Sequence, residues 1–288
     1  MDPTPPSQRA PLNESARASR RNWLCTLGGL GASTVLSRHL TAQAQATTAS
    51  KAHIVVVGSG LGGIAVTNQL RAMLSDARIT IIDKKEVHNY QPGYTLVATG
   101  VWPVGKVIDR NADFQPAGAE WVKDMVAAGG KRVTYDVLVV ATGTHQDWAR
   151  IEGMDVGAIG TNGLTSVYPS SDAAVATWAA MDTFRQKGGK AVMTLPATPL
   201  KCAGAPLKMT FMLRDRLAQA GTLGQSEVHF HSALGNVFGV KPVNDNVLER
   251  WQKLGIQVHT NEALAAVDIG KRIATFASPE GERTEVPY

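Results

Sequence analysis

Apolar positions come in short β-branched runs, each followed by a stretch with helical spacing. HIVVV, His53 to Val57, is such a run, and LGGIAVTNQLRAM then carries a helical period through Met73. ARITIIDKKE reads as a second strand ending at Asp83, and YDVLVVATG, Tyr135 to Gly143, as a further buried strand closed by Thr-Gly. Between them His88 to Gly118, rich in Gly, Pro and Tyr, shows no regular period. The alternation then resumes. Asp172–Gln186 has helical spacing, with Ser170 or Ser171 as N-cap and Gly188 just past its end. Strand Lys190–Leu195 follows, then a helix with Pro206 in its first turn, where proline is welcome. Strand Glu227–His231, helix Asp245–Leu254 and strand Ile256–His259 continue the pattern, and two short strand-like runs, Leu264–Asp268 and Arg272–Phe276, come last. Alternating strands and helices predict an α/β fold with parallel sheets. No turn, cap or terminal helix closes the final TEVPY, and the first half supplies fewer strands than a doubly wound sheet needs. The expectation is that the C-terminal part is missing.

The first strand-to-helix turn carries chemistry. GSGLGG places Gly58, Gly60 and Gly63 in G-x-G-x-x-G spacing, with Leu61 and Gly62 inside it. Gly58 allows a tight turn, Gly60 lets the backbone approach a pyrophosphate, and Gly63 lets the helix pack on the strand; the helix N-terminus faces the negative charge. Asp83 lies 20 residues beyond Gly63, at the end of the second strand, where a carboxylate accepts ribose hydroxyls. Together these imply a bound dinucleotide, against the plainer reading of a glycine-rich turn with an unrelated strand-end acid. The fold expected is therefore two Rossmann-like dinucleotide-binding units, residues 47–150 and 151–288, behind an N-terminal segment, 1–46.

The matching turn of the second unit departs from this pattern. LPATPLKCAGAPLK, Leu195 to Lys208, holds prolines and Cys202 where a nicotinamide-binding turn would hold glycines, so weak or absent NAD(P)H oxidation is expected. Cys202 stands just ahead of a helix N-terminus, with Lys201 and Lys208 near in sequence, and both dipole and cations favour a thiolate. The alternative is a small buried hydrophobe.

Composition adds bounds. The 288 residues are 44% hydrophobic and 18% charged, long enough for a substantial core and two domains. The net charge of +5 is uneven, because residues 1–46 carry five arginines against two acids. No basic cluster is interleaved with aromatics, so nucleic acid is not expected as a partner. No apolar run is long enough to span a bilayer; the longest candidate, Leu24–Leu36, is diluted by glycine. SRRNWL puts Arg20 and Arg21 ahead of a weakly apolar CTLGGLGASTVL, and TAQAQA follows as a small-residue cleavage stretch. This resembles a twin-arginine export signal and predicts a periplasmic protein cleaved after Ala44 or Ala46, against a basic tail without that role. Of the two cysteines, Cys25 falls inside that segment, which leaves Cys202 and no disulfide framework.

A glycine fingerprint followed by a strand ending A-T-G resembles the two-dinucleotide flavoprotein superfamily. Within it, HNYQPGYTLVATG (His88–Gly100), PATPLKCAGAP (Pro196–Pro206), NVFGVK (Asn236–Lys241) and KRIATF (Lys271–Phe276) resemble the sulfide:quinone oxidoreductase family, from about Ala52 to the last residue. That resemblance implies FAD rather than NAD at the first fingerprint, with Gly58, Gly60, Leu61, Gly62, Gly63 and Asp83 holding its ADP half. It implies Gln91 in contact with the flavin, Val126 beside the adenine through its backbone, Thr142 and Gly143 ending the strand that passes the cofactor, and Cys202 as one of two redox cysteines. It implies oxidation of sulfide at a cysteine sulfur that forms a flavin adduct, with two electrons passing to FAD and then to a quinone, and peripheral contact with a membrane.

Two departures matter. VAAGGKRVTY, Val126 to Tyr135, is shorter than the family pattern by about one hairpin. The chain also ends before the family's second redox cysteine and its quinone- and membrane-binding segment. Two other readings stay open: a periplasmic flavoprotein sulfide dehydrogenase serving a cytochrome, and a non-catalytic remnant.

HFH puts His229 and His231 on one face of a strand, but no third ligand is apparent, and no metal is expected. Neither G-x-S-x-G nor H-E-x-x-H occurs, so hydrolase and zinc-peptidase readings have no handle.

Overall fold

A computed structural model describes residues 47–127, 130–198 and 200–288. The export-signal expectation, with Arg20, Arg21, Cys25 and the cleavage site, lies outside the described residues.

Strand β1 (His53–Val57), helix α1 (Leu61–Met73) and strand β2 (Arg78–Ile82) follow in the order expected. β1 lies parallel between β2 and a later strand, β6 (Val137–Val140). β5 (Ala119–Val122) pairs parallel with the outer side of β2, so the sheet order is β5-β2-β1-β6. Ile54, Val56, Ala77, Ile79 and Ile81 form the small core under α1. β5 escapes the apolar pattern because its four residues include Glu120, which faces out to pair with Arg78 at 3.0 Å.

The expected burial of the Tyr135–Gly143 strand is not found. β6 is the edge of its sheet, and Val137, Leu138 and Val140 are exposed, Val140 at 69%. A continuous apolar run signals a strand, but burial also needs neighbours on both sides, and among the described residues β6 has only β1.

The stretch from His88 to Gly118, read as irregular, contains a short antiparallel pair, β3 (Val87–Asn89) with β4 (Ile108–Arg110). Between them lie a 3₁₀ turn at Gln91–Gly93 and a one-turn helix, α2 (Tyr94–Val97). Tyr94, Val97, Ala98 and Val107 are buried in the larger core, with residues of the second half of the chain. This segment therefore ties the two units together by packing.

Helix α3 (Ser171–Lys187) is capped by Ser170, whose hydroxyl accepts the Ala173 amide at 3.0 Å, and it ends at Gly188 with φ +71. β7 (Gly189–Leu195), α4 (Gly204–Ala220), β8 (Ser226–Ser232), α5 (Lys241–Leu254) and β9 (Ile256–Thr260) complete a three-stranded parallel sheet, β7-β8-β9. α5 begins at Lys241 rather than Asp245, because Pro242 fits a first turn, where a missing amide proton costs nothing. Phe230 of β8 and Trp251 of α5, both fully buried, meet at 4.7 Å between ring centroids and join sheet to helix.

The last runs depart from the parallel expectation. β10 (Ala263–Asp268) and β11 (Ile273–Ala277) are antiparallel, and β12 (Arg283–Pro287) completes their sheet. Arg272, expected at a strand start, sits in the tight turn with φ +59. β12 was missed because RTEVP is polar and mostly exposed. Among the described residues no helix is long and apolar enough to cross a membrane.

Candidate functional site

The turn from β1 into α1 separates its glycines into two kinds. A Cβ at Gly58, where φ is +108, would come 2.3 Å from the Ala141 carbonyl oxygen, and one at Gly63 would come 1.8 Å from the Gly58 carbonyl oxygen. Those two glycines close the turn against β6 and against itself. At Gly60 and Gly62 a Cβ would meet nothing within 4 Å. α1 has no side-chain cap at its N-terminus and no acid in its first turn. Leu61 is 75% exposed at the same rim. A bare helix N-terminus above a glycine backbone fits a pyrophosphate.

Asp83 closes one side of this cradle. Its Oδ2 accepts the Ser59 amide at 2.7 Å and the Ser59 hydroxyl at 3.0 Å, and its Oδ1 accepts the Lys85 amide at 2.9 Å. Burial alone would push the carboxyl pKa up, but these hydrogen bonds and the Lys85 charge outweigh it and hold the carboxyl below its ordinary value. The one remaining lone pair, on Oδ1, stays available to a ribose hydroxyl. Sequence reading missed the rest of the network. Buried Asn111 donates to the Ser59 hydroxyl and to the Lys85 carbonyl, both at 2.8 Å, and its Oδ1 meets His88 Nδ1 at 3.1 Å.

That network leads to the second loop. Two residues beyond His88–Asn89, the 3₁₀ turn starts at Gln91, and the Lys201 ammonium donates to the Gln91 side-chain carbonyl. Lys208 Nζ reaches the Pro92 carbonyl at 3.5 Å. The tyrosine-proline loop and the cysteine loop, far apart in sequence, are thus held together. Both lysines expected to attend the thiol are directed at the other loop instead. Cys202 itself is exposed, and its carbonyl accepts the Ala205 amide at 3.0 Å as the chain enters α4. α4, like α1, has neither a side-chain cap nor an acid in its first turn. Tyr168 lies nearby: burial, and then the charge of Cys202, push its hydroxyl up to about 12. A cavity of about 290 Å³ behind the loop is lined by Tyr168, Ala205, Pro206 and Met209 among others.

The remaining residues follow the C-terminal ends of the two edge strands of the first sheet. Thr142 and Gly143 leave β6 beside the glycine turn, where the Thr142 amide is 3.1 Å from a Cβ at Gly58. Val126 follows β5, the outer neighbour of β2, and is exposed. One residue set was underestimated. The His229–His231 pair gains a third member, His259 from β9, which needs the strand register to be seen.

Residues 52–182 match the pyridine nucleotide-disulphide oxidoreductase family. The chain is 32% identical over 243 residues to the mitochondrial sulfide:quinone oxidoreductase of Dictyostelium discoideum, covering 80% of this chain and 53% of that protein. It is 29% identical over 252 residues to the mitochondrial sulfide:quinone oxidoreductase of Mus musculus, covering 82% and 54%. The solved sulfide:quinone oxidoreductase of Aquifex aeolicus superposes with a TM-score of 0.69 at 22% identity, over 82% of this chain and 56% of that one. The NDH2 of Plasmodium falciparum, solved with NADH, shares the fold at a TM-score of 0.56 and 16% identity, over 83% and 54%. The chain spans about half the length of the curated relatives it matches.

Proposed function

We propose that this chain, which belongs to the sulfide:quinone oxidoreductase family of two-dinucleotide flavoproteins, is the FAD-holding and sulfur-handling part of an enzyme that oxidises sulfide. The reading is carried by the bonds from Lys201 to Gln91 and from Lys208 to Pro92, which seat the cysteine loop on the loop that follows the dinucleotide cradle. FAD, when bound, supplies a two-electron acceptor. The amides at the start of α1 and the Gly60 backbone take its pyrophosphate, and Asp83 accepts its ribose hydroxyls while Ser59 and Lys85 keep that carboxyl charged. Asn111 and His88 brace Ser59 from behind.

Cys202 presents its sulfur from an exposed loop at the end of β7, just ahead of α4. Cys202 and hydrosulfide would join in a persulfide S–S bond, their protons passing to solvent and the two electrons released passing to bound FAD and then to a quinone, the acceptor that the relatives' names state for those proteins.

The test is anaerobic addition of sulfide to the FAD-loaded protein, followed by flavin absorbance. Cys202→Ser should keep FAD bound and lose nearly all sulfide-dependent bleaching. A parent-like rate in that variant would reduce Cys202 to a packing residue, and a chain that takes up no FAD would sink the whole reading.

A further inference from the structure

Three histidines and two carboxylates meet on the face of the second sheet opposite Trp251. His229 and His231 share that face of β8, while Phe230 between them turns to Trp251. The β8–β9 register sets His259 opposite His231. One nitrogen from each histidine lies within 4.8 Å of the others. His229 Nδ1 and His259 Nε2 are 3.0 Å apart, with ring planes 9° from parallel. His259 lies over His231 at 4.3 Å between centroids, and Phe276 of β11 stacks on His231 at 4.0 Å.

The outer nitrogens are already committed. His229 Nε2 meets Glu227 Oε2 at 3.0 Å, and His231 Nδ1 meets Glu262 Oε2 at 2.6 Å. A carboxylate on one ring nitrogen fixes the tautomer and leaves the other nitrogen as a more basic ligand, the support that metal-binding histidines usually have. For His231 that other nitrogen, Nε2, is buried with no hydrogen-bond partner, on a residue 2% exposed. Native cores rarely leave such a group unmet.

We propose that His229, His231 and His259 form a binding site for a divalent transition cation of the Zn²⁺ class, with Glu227 and Glu262 orienting two of the three ligands. Three imidazoles suit Zn²⁺, Cu²⁺ or Ni²⁺, and not Mg²⁺ or Ca²⁺, which take oxygen ligands. An ion about 2.0–2.1 Å from each nitrogen in tetrahedral geometry sets the nitrogens about 3.3 Å apart. The 3.0 Å pair must therefore open slightly, the wider separations, up to 4.8 Å, must close, and the near-parallel rings must turn towards a common point. Rotation about the terminal ring torsion, which is broad and soft, turns the rings, and small shifts of the side chains close the wider gaps. Glu227, which holds His229, is exposed at the margin of the cluster. The bound ion would cross-link β8 to β9, away from the dinucleotide cradle.

The test is titration of the chelator-stripped 288-residue chain with Zn²⁺ by calorimetry, with metal analysis after desalting. One retained Zn²⁺ per chain and a raised melting temperature are expected. Affinity should fall about tenfold or more in His259→Gln, and by a similar or smaller factor in Glu262→Gln, which removes only the orienting charge. Should His231→Gln fail to fold, those two variants still decide the matter, since neither residue is fully buried. No saturable binding by the parent, or undiminished binding by a His229→Gln/His259→Gln double variant, overturns the proposal and leaves the histidines as packing groups.

Discussion

Gly63 packs against the Gly58 carbonyl so closely that a methyl group there would stand 1.8 Å from the oxygen. Gly58 is confined in turn by the Ala141 carbonyl and by its positive φ. Gly60, between them in the fingerprint, faces nothing. One motif thus combines two residues required by the fold with one that leaves room for a ligand.

This difference sets the first prediction. Gly63→Ala and Gly58→Ala should each destabilise the first unit by about 2–4 kcal/mol, since backbone must move to admit the methyl. Gly60→Val should fold with its melting temperature nearly unchanged, because its backbone is extended at φ −72 and ψ −173 and any residue adopts that conformation. It should nevertheless lose flavin, its side chain filling the cradle. Thermal melts and flavin absorbance of the three variants separate the roles. A Gly60→Val protein that keeps full flavin content would show that the pyrophosphate lies elsewhere.

Asp83 sets the second. Its carboxyl is held below the ordinary 3.8, so its hydrogen bonds to Ser59 and Lys85 contribute stability that is fully present above that value. The contribution fades as pH falls through the lowered folded value. Asp83→Asn cannot accept as well at both oxygens and should cost about 1–2 kcal/mol at neutral pH. The stability gap between parent and variant should narrow in acid. Urea melts across a pH series check this, and a gap that stays constant as the pH falls well below 3.8 would contradict it.

How far the site could be read in sequence depends on how local each feature is. Gly58 to Gly63 and Asp83 are set by the geometry of one turn and the length of one helix, so spacing alone revealed them. The contact of Lys201 with Gln91 joins residues 110 apart, and nothing in either loop announces it. His259 was missed for a related reason. Alternation places His229 and His231 on one face of their own strand, but only the register with β9 brings His259 beside them. The histidine in IQVHT was a usable hint, since a neighbouring parallel strand ending in His can align with HFH. β6 shows the opposite error: VLVV correctly marks a strand, while its exposure depends on neighbours that periodicity does not describe.

Export can be tested on the first 46 residues, where SRRNWL precedes a weakly apolar stretch and TAQAQA. We propose that the protein travels folded through the twin-arginine route, which suits a chain that gathers a dinucleotide before leaving the cytoplasm. Arg20→Lys with Arg21→Lys should strand the precursor in the cytoplasm, seen by fractionation and by failure to cleave after Ala44 or Ala46. Periplasmic accumulation of the double variant would exclude that route.

The last prediction concerns NADH, because the fold by itself would permit it. In the first unit β1 ends at Val57 and α1 begins at Leu61, so the helix N-terminus opens right above the strand end. In the second unit β7 ends at Leu195 and α4 begins only at Gly204. The longer connection carries Pro196, Lys201 and Cys202, and its Lys201 is bonded to Gln91, while Lys208 of α4 reaches Pro92. A pyrophosphate needs glycine backbone and free amides close to a strand end. Here eight residues separate strand from helix, and one of them, Lys201, is bonded to Gln91 of the other loop. NADH should therefore bind weakly and reduce the flavin slowly, even though a protein of the same fold was solved with NADH. Anaerobic stopped-flow mixing with excess NADH, beside the same mixing with sulfide, is the measurement. Slow or absent bleaching by NADH is expected, and a Lys201→Gly/Cys202→Gly variant should gain little, since the long connection remains. Fast bleaching of the parent by NADH would mean that the cysteine loop moves aside to admit a second dinucleotide, and would refute the reading of that loop as a carrier of sulfur.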